Sequence, residues 1–377
     1  MFLPVIKPMA RMVLRILSFI LFAVMIACAY GGHVNPRLSA IPGIAVMALP
    51  YLAIATFIVT VLWFLAGRWF TGAVGILAMA AAWGPISNAV PLRFPHNPRQ
   101  GAVSFKLMTW NFTHGWNLSG KALTAGEDDA LGYIMKSGAD IVCLQELTDW
   151  NKRETPTLTD AIRQRFDSIY PYMAFQPTKD TRVFSKYPVK HIPGTEIGAR
   201  LADIHGPQAA YDHISFFDIN IKGRHLMLVN VHLHSPGLDK DQQGVMTSIR
   251  SVSTAKESAR EFNDTIKNKI QHSLVQHDGD LNTLCKIMEN YHGPVIVCGD
   301  FNDVPESHAL LKMKKAGFHS VQAEVGLGPL ITFNQHMMWF QLDHILYRGD
   351  VRPLNIKKGR IRTSDHYPLV SDFEFTD

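Results

Sequence analysis

The sequence predicts an α/β domain preceded by an N-terminal membrane domain of about three helices, and three observations carry this reading. Residues 41–67 and 69–92 are uncharged stretches of 27 and 24 residues, each longer than the roughly 20 that a helix needs to cross the hydrocarbon core. Downstream, four short β-rich runs, at 103–110, 140–144, 226–231 and 295–298, each lead into a polar residue. Helix-like stretches at 126–137, 158–166, 254–274, 281–291 and 306–316 lie between or beyond those runs. Strands of this kind belong to sheets covered by helices, with their polar ends converging on one site.

Composition excludes several classes. Of 377 residues, 47% are apolar and 18% charged, enough to bury a large core and too apolar for a disordered chain. Cys28, Cys143, Cys285 and Cys298 are too scattered for a paired C-x-x-C zinc site or a disulfide framework. Cys143 and Cys298 fall within apolar runs and read as core. The net charge of +5 hints at nucleic acid until its distribution is considered. Lys7, Arg11, Arg15, Arg37, Arg68, Arg93 and Arg99 precede the first acid, Glu127, and the remaining 30 basic residues face 32 acidic ones. The region beyond residue 100 therefore carries about −2. The pI near 8.9 belongs to the N-terminal third and marks no DNA-binding face.

Residues 12–30 make a third candidate span, with Arg15 able to reach the headgroups along its aliphatic stem. Two other readings compete for this segment. A basic start followed by Ala27-Cys28-Ala29 resembles a cleaved signal peptide, and Met25-Ile26-Ala27-Cys28 loosely resembles a lipid-attachment box. Two further spans make a separate anchor unnecessary. With the N-terminus inside, internal segments hold Lys7, Arg11, Arg15 and Arg68 against Arg37, Arg93 and Arg99 outside. Three spans then place the C-terminal domain outside the cytoplasm, on an inner or plasma membrane. The expected organisation is a membrane domain over 1–92, a linker over 93–102 containing Pro95, Pro98 and Gly101, and one α/β domain over 103–377.

No G-x-G-x-x-G follows the first strand, and there is no P-loop. Residues 238–276 read as a solvated insertion or helical cover. Taken singly, Asn111 could cap a turn, Glu146 could be a surface residue and His232 a satisfied core histidine. Six segments occur in order, however: Trp110-Asn111, Leu144-Gln145-Glu146, Asn230-Val231-His232-Leu233, Gly299-Asp300-Phe301-Asn302, Leu342-Asp343-His344-Ile345 and Ser364-Asp365-His366.

That order resembles the endonuclease/exonuclease/phosphatase superfamily, which includes pancreatic-type deoxyribonucleases, apurinic endonucleases, neutral sphingomyelinases and inositol polyphosphate 5-phosphatases; this chain looks like a membrane-anchored bacterial-type member. The likeness covers residues 103–375. It implies a four-layered α/β sandwich, two mixed β-sheets face to face with helices outside. It also implies that Glu146 is the main carboxylate ligand of Mg²⁺ or Mn²⁺, with Asn111 beside it and Asp365 completing or approaching the site; hard oxygen donors suit such ions. Asp300 would take the proton of the attacking water, and Asn302 would orient that water or hold a phosphoryl oxygen. His366, oriented by Asp343, would bind the phosphate, and His232 would supply a second donor.

The chemistry explains these residue types. A phosphodiester is anionic and repels hydroxide, so hydrolysis needs a cation on the phosphoryl oxygens and a base for the nucleophile. A carboxylate beside an imidazole favours imidazolium, which stabilises the developing charge. Of the remaining polar residues, His234 lines the rim or the site, and His344 points away from it as a structural residue. Lys186-Tyr187-Pro188 resembles a loop that brings Tyr187 near phosphate, and Thr332-Phe333-Asn334 resembles another segment near the site. Two departures stand out. Thr113 occupies a position where apurinic endonucleases commonly carry an acid, and Gln341 stands where the family often has Arg.

The motifs specify phosphoester hydrolysis and leave open the alcohol, the choice of mono- or diester, and the oligomeric state. Membrane attachment and a slightly acidic domain favour a lipid-like or small phosphoester, with the bilayer as partner. Duplex DNA, normally bound by clustered Lys and Arg, is not favoured. The alternatives are a metal-dependent nuclease acting on DNA or RNA, and a catalytically inactive membrane-tethered binding domain.

Overall fold

The computed structural model describes residues 8–112, 130–147, 164–176, 180–204, 213–238, 265–335, 338–361 and 363–376. The apolar N-terminal third folds into helices α1 (Pro8–Ala29), α2 (Ile41–Val46), α3 (Leu49–Leu65), α4 (Trp69–Ala81) and α5 (Trp83–Ala89). This corrects the expectation of three spans. Among the described residues, one helical segment, Pro8–His33, is long and apolar enough to cross a membrane. The 41–67 stretch does not form one helix, because α2 ends at Val46 and α3 restarts with Pro50 in its first turn, where the missing N–H costs nothing. The 17 residues of α3 fall short of a full crossing. The 69–92 stretch bends by 71° between α4 and α5, so it is at most a broken span or a re-entrant pair; Pro85 sits in the first turn of α5, where a new helix can start.

Small residues let these helices approach. A Cβ added to Gly75 would lie 2.1 Å from Thr60 Oγ1 and 3.0 Å from Phe22, so glycine is what allows α4 to touch both α3 and α1. Phe22, Met25, Leu49, Ala53 and Ala78 form the shared core, and Trp63 Nε1 donates to Ser18 Oγ at 2.9 Å. The outward faces stay apolar: Ile16 and Ile20 of α1, Phe57 and Ile58 of α3, and Phe70 and Leu77 of α4 are all at least half exposed.

The rest of the chain is an α/β fold with two mixed sheets flanked by helices. One sheet has the order β13-β14-β1-β2-β4-β3, built from β1 (Ser104–Asn111), β2 (Ile141–Gln145), β3 (Tyr172–Phe175), β4 (Arg182–Ser185), β13 (Val351–Lys358) and β14 (Leu369–Phe375). The other has the order β5-β6-β7-β8-β12-β9, from β5 (Val189–Ile192), β6 (Ile214–Ile221), β7 (Arg224–His232), β8 (Val295–Asp300), β9 (His319–Ser320) and β12 (Asp343–Arg348). Each is mixed, with β1 parallel to β2 and β7 parallel to β8. A small hairpin joins β10 (Phe333–Gln335) to β11 (Met338–Phe340).

Alternation along β1 explains the layering. Phe105 and Leu107 enter the core between the sheets, against Phe217, Leu228, Ile296 and Ile345, while Met108 and Trp110 face the outer layer with α6 (Ala130–Ser137). Helices α7 (Gly194–Ala202), α8 (Lys267–Glu289) and α9 (His308–Lys315) cover the opposite face. A short helix, α10 (Val321–Val325), packs its ends Val321 and Val325 into the inter-sheet core. Cys143 and Cys298 are buried free thiols in the inter-sheet core, as their apolar context predicts.

The helix expected at 254–274 and the one at 281–291 are one helix in their described part, α8. Gly279 is its only glycine and costs about 1 kcal/mol relative to alanine. The buried stripe through Ile270, Ser273, His277, Leu281, Leu284 and Met288 runs past it, so packing carries the helix through. Residues 239–264, Thr113 and most of the 158–166 stretch lie outside the described residues.

Candidate active site

Strand register brings the polar ends together. The parallel β1/β2 pairing sets Asn111 opposite Gln145, so Glu146 follows immediately beside Asn111. Asp300 pairs with His232 across the parallel β7/β8 ladder and with Asp343 across the antiparallel β8/β12 ladder. Three chemically active residues thus stand side by side on adjacent strands. Ser364 ties the last segment in, its Oγ donating to Asn111 O at 2.8 Å and accepting from His366 N at 3.1 Å. Two of the site residues have left-handed backbone, Glu146 at φ 56° and Asn302 at φ 48°. Asparagine tolerates this region; for Glu146 it is a strain held by the turn that ends β2.

The side chains interlock. Asn111 Nδ2 donates to Glu146 Oε1 at 3.0 Å and to Asp300 Oδ2 at 2.9 Å. Asp300 Oδ1 accepts from Asn302 N at 2.8 Å, and Asn302 Nδ2 donates to Leu233 O at 2.9 Å. His366 Nδ1 donates to Asp343 Oδ2 at 2.7 Å, leaving Nε2 3.7 Å from Asp300 Oδ2. His232 Nδ1 donates to Asp180 Oδ2 at 2.6 Å, with Nε2 3.7 Å from Glu146 Oε1. Glu146, Asp300, Asn302, Asp365 and His366 line one cleft of about 180 Å³. All eight residues singled out from the sequence therefore gather in or against one pocket.

Burial opposes protonation of both histidines, and the carboxylates outweigh it. Asp343 and Asp300 push His366 up to about 10, and Asp180, helped by Asp300 and Glu146, pushes His232 up to about 9. Burial raises Asp300, with Asp343 adding to it against the opposing pull of His366, His232 and Asn111. A carboxylate raised in this way is better suited to accept a proton near neutrality.

The donor set fits a divalent cation. Glu146, Asp300 and Asp365 line the cleft, with Asp343 and Asp180 directly behind the two histidines. Five carboxyl groups face two imidazoles, and Asp343 Oδ1 is buried without a hydrogen-bond partner. Asp300 and Asp343 are buried and Glu146, Asp365 and Asp180 half-buried, and carboxylates crowded together out of water in this way favour a neutralising cation. Glu146, Asp365 and the Asn111 amide are oxygen donors of the kind hard ions take. Asp300, Asp343 and His366 also bring three ligand-type atoms within 4.8 Å of one another.

Some residues lie elsewhere than the sequence suggests. Tyr187 packs against the inter-sheet core and its N–H donates to Ser185 Oγ; it is not among the residues lining the cleft. Lys186 pairs with Asp140 at 3.0 Å. His234 joins His213 and His272 at the start of α8, with rings 6.0 and 5.5 Å away. His344 is buried, Nε2 donating to Asp303 O at 2.9 Å. Gln341 takes a structural place, its Nε2 3.2 Å from His344 Nδ1.

Other contributors carry no strand-end signature. Asp180 precedes β4, so a search for polar residues at strand ends passes over it. Thr332 Oγ1 accepts from the N–H groups of Leu342 and Asp343 at 3.0 and 3.1 Å, and Phe333 packs its ring 5.1 Å from that of His366. The Thr332-Phe333-Asn334 segment thereby gains a role as a buttress.

The Endonuclease/Exonuclease/phosphatase family matches residues 108–366, well over half of the sequence and every segment just described. The chain belongs to this family. Members of the family are generally hydrolytic phosphoesterases and typically depend on a divalent metal. Among solved structures, the chain is similar to an endonuclease/exonuclease/phosphatase from Beutenbergia cavernae (15% identity, 72% of each chain, TM-score 0.46). It is also similar to truncated Caenorhabditis elegans TDP2 (16%, 72% of this chain and 98% of that one, 0.44) and to sphingomyelinase C from Streptomyces griseocarneus (15%, 71% and 99%, 0.41). Among curated sequences, a UPF0294 protein of Vibrio campbellii is 33% identical over 107 residues, 27% of this chain and 35% of the relative. One from Vibrio parahaemolyticus is 30% identical over 102 residues. The match spans about a third of the length of these curated relatives.

Proposed function

We propose that this family member is a membrane-anchored, divalent-metal-dependent phosphoesterase that hydrolyses a lipid-like or small phosphoester by attack of water. The observation that carries the reading is the position of Asp300, a buried carboxylate 2.9 Å from Asn111 Nδ2 and 3.7 Å from His366 Nε2 at the wall of one cleft. Glu146, Asn111 and Asp365 would hold Mg²⁺ or Mn²⁺, which when bound neutralises phosphoryl oxygens and lowers the pKa of water. Asp300 takes the proton of the attacking water, with Asn302 fixing the carboxylate through its backbone N–H. His366, kept cationic by Asp343, binds a phosphoryl oxygen. His232, kept cationic by Asp180 and with Nε2 3.7 Å from Glu146 Oε1, protonates or stabilises the leaving alkoxide.

Anchoring is supported by the long apolar segment Pro8–His33 and by the apolar outward faces of α1, α3 and α4, which exceed what a water-soluble surface ordinarily exposes. With the N-terminus inside, a single crossing leaves residues 103–377 on the outer face of an inner or plasma membrane. A C-terminal alkaline phosphatase fusion active in whole cells checks that orientation, and an inactive fusion overturns it.

The activity test uses the full chain in lipid nanodiscs, stripped with chelator and resupplied with Mg²⁺ or Mn²⁺. Substrates are p-nitrophenyl phosphate mono- and diesters, sphingomyelin, phosphoinositide and plasmid DNA. Metal-dependent turnover of a small or lipid phosphoester, abolished by Asp300→Asn, is expected. Cleavage of plasmid alone would make the protein a nuclease. Silence on every substrate, with no metal-dependent thermal shift, would leave a binding domain.

A further inference from the structure

The wall of the cleft facing Asp300 and His366 is apolar. Ile270 and Leu274 of α8, and Phe333, Met338, Phe340 and Leu342 of the catalytic region, supply most of it, and Met47 comes from the turn between α2 and α3. The N-terminal helical region therefore contributes directly to the site that would hold the phosphoester. Behind this wall lies a second cavity of about 130 Å³, lined by Val46, Pro50, Tyr51 and Ile54 on the helical side and by Leu330 and Trp339 on the other. Met47 and Phe340 line both cavities and form the partition between them. The second cavity offers little for a polar ligand, since the Tyr51 hydroxyl already donates to Trp339 O.

The surroundings continue the same character. Leu92 pairs with Leu327 across the junction, the side chains of Leu92, Phe94, Leu327 and Trp339 are exposed, and Trp339 sits against Tyr51 of α3. Exposed apolar side chains thus lie on both sides of the junction between the helices and the catalytic region.

We propose that the two cavities form one amphiphile-binding site, in which the phosphoester lies against Asp300 and His366 and its hydrocarbon chain passes between Met47 and Phe340 into the space bounded by Val46 and Ile54. The flexible Met47 side chain suits a wall that must yield to a chain. The inference rests on the phosphoesterase reading above and adds to it the part of the substrate that the helical region selects. Hydrocarbon is the occupant because the rear cavity is lined almost entirely by apolar groups and is separated from the cleft only by the Met47 and Phe340 side chains that line both.

The test is a chain-length series, p-nitrophenyl alkyl phosphodiesters from methyl to octyl, turned over by the full chain in nanodiscs with Mg²⁺. In the wild type, kcat/KM should rise about threefold for each of the first several methylenes and then level off. Ile54→Trp, which adds bulk to the lining of the rear cavity, should flatten the series, bringing the octyl-to-methyl ratio of kcat/KM toward one. Ile54→Ala should move the plateau to a longer chain. A flat wild-type series with the methyl ester still hydrolysed would overturn this inference and leave the phosphoesterase reading standing, as would a series that neither Ile54 variant alters. Failure to hydrolyse any ester would overturn both.

Discussion

A single imidazole, that of His366, joins two buried carboxylates: Nδ1 lies 2.7 Å from Asp343 Oδ2 and Nε2 3.7 Å from Asp300 Oδ2. Asp343 holds the ring from behind, and its partner on the open side is the proposed base. Asp343→Asn keeps shape and removes the charge that sustains imidazolium. Turnover should fall on the order of a hundredfold or more, with far-UV circular dichroism and thermal midpoint close to wild type. Wild-type turnover would remove the pair from the mechanism.

Glu146→Gln tests the metal assignment separately. The amide conserves the hydrogen-bonding reach toward Asn111 but donates a weaker, neutral oxygen. The Mg²⁺ concentration giving half-maximal activity should rise on the order of tenfold or more. An unchanged metal titration would mean that the cation is held elsewhere, with Asp300 and Asp343 the next carboxylates to replace.

The strand-end pattern made half of this site legible, and the order of the motifs supplied Asn302, Asp343, Asp365 and His366. Asn111, Glu146, His232 and Asp300 are at or next to the ends of β1, β2, β7 and β8, where the apolar run stops and a polar side chain can turn toward a shared cleft. Two kinds of information lay outside that pattern. Asp180 reaches His232 through a loop before β4, and Thr332 braces Asp343 through its hydroxyl, contacts that only the folded chain brings together. In the N-terminal third, hydropathy alone could not reveal where helices break, since Met47 and Ala82 are themselves apolar and the breaks follow from prolines and close packing.

Asp180 deserves its own variant because no motif points to it. Asp180→Asn keeps a side chain of nearly the same size beside His232 Nδ1 but removes the charge that offsets the burial of the ring, so the imidazole should become neutral.

 The substitution changes charge and leaves bulk almost untouched. Turnover should drop about tenfold or more, most for substrates with a poor leaving alcohol and least for p-nitrophenyl esters, whose leaving group needs little protonation. An equal loss on both substrate types would assign Asp180 to positioning alone.

The pH dependence of stability has a clear contribution from His344. Burial depresses its pKa to about 4, with Nε2 donating to Asp303 O and Nδ1 facing the Gln341 amide. An unfolded histidine titrates near 6.5, so between pH 6.5 and 4 the unfolded chain binds a proton that the folded chain does not. Stability should therefore fall as the pH drops through that window, by up to on the order of 3 kcal/mol from this group. Denaturant titrations at pH 7, 5.5 and 4 measure the slope, and His344→Gln should make it shallower. An identical slope in the variant would place the acid sensitivity in other groups.

Gly299 links the most specific sequence motif to the backbone that carries it. Its φ of +137° is one that side chains rarely adopt, and an added Cβ would lie 2.0 Å from Val231 O on the neighbouring strand. Nothing flexible lines that contact, so β7 and β8 would have to separate where they hold His232 and Asp300 in register. Gly299→Ala should destabilise the fold by about 3 kcal/mol or more. Gly84→Ala, in a helix with no heavy atom within 4 Å of the new Cβ, should leave the thermal midpoint unchanged or slightly raised. Equal midpoints for the two variants would mean that the strands can part without cost, and the glycine before Asp300 would then need an explanation in the chemistry of the cleft instead of in the packing beneath it.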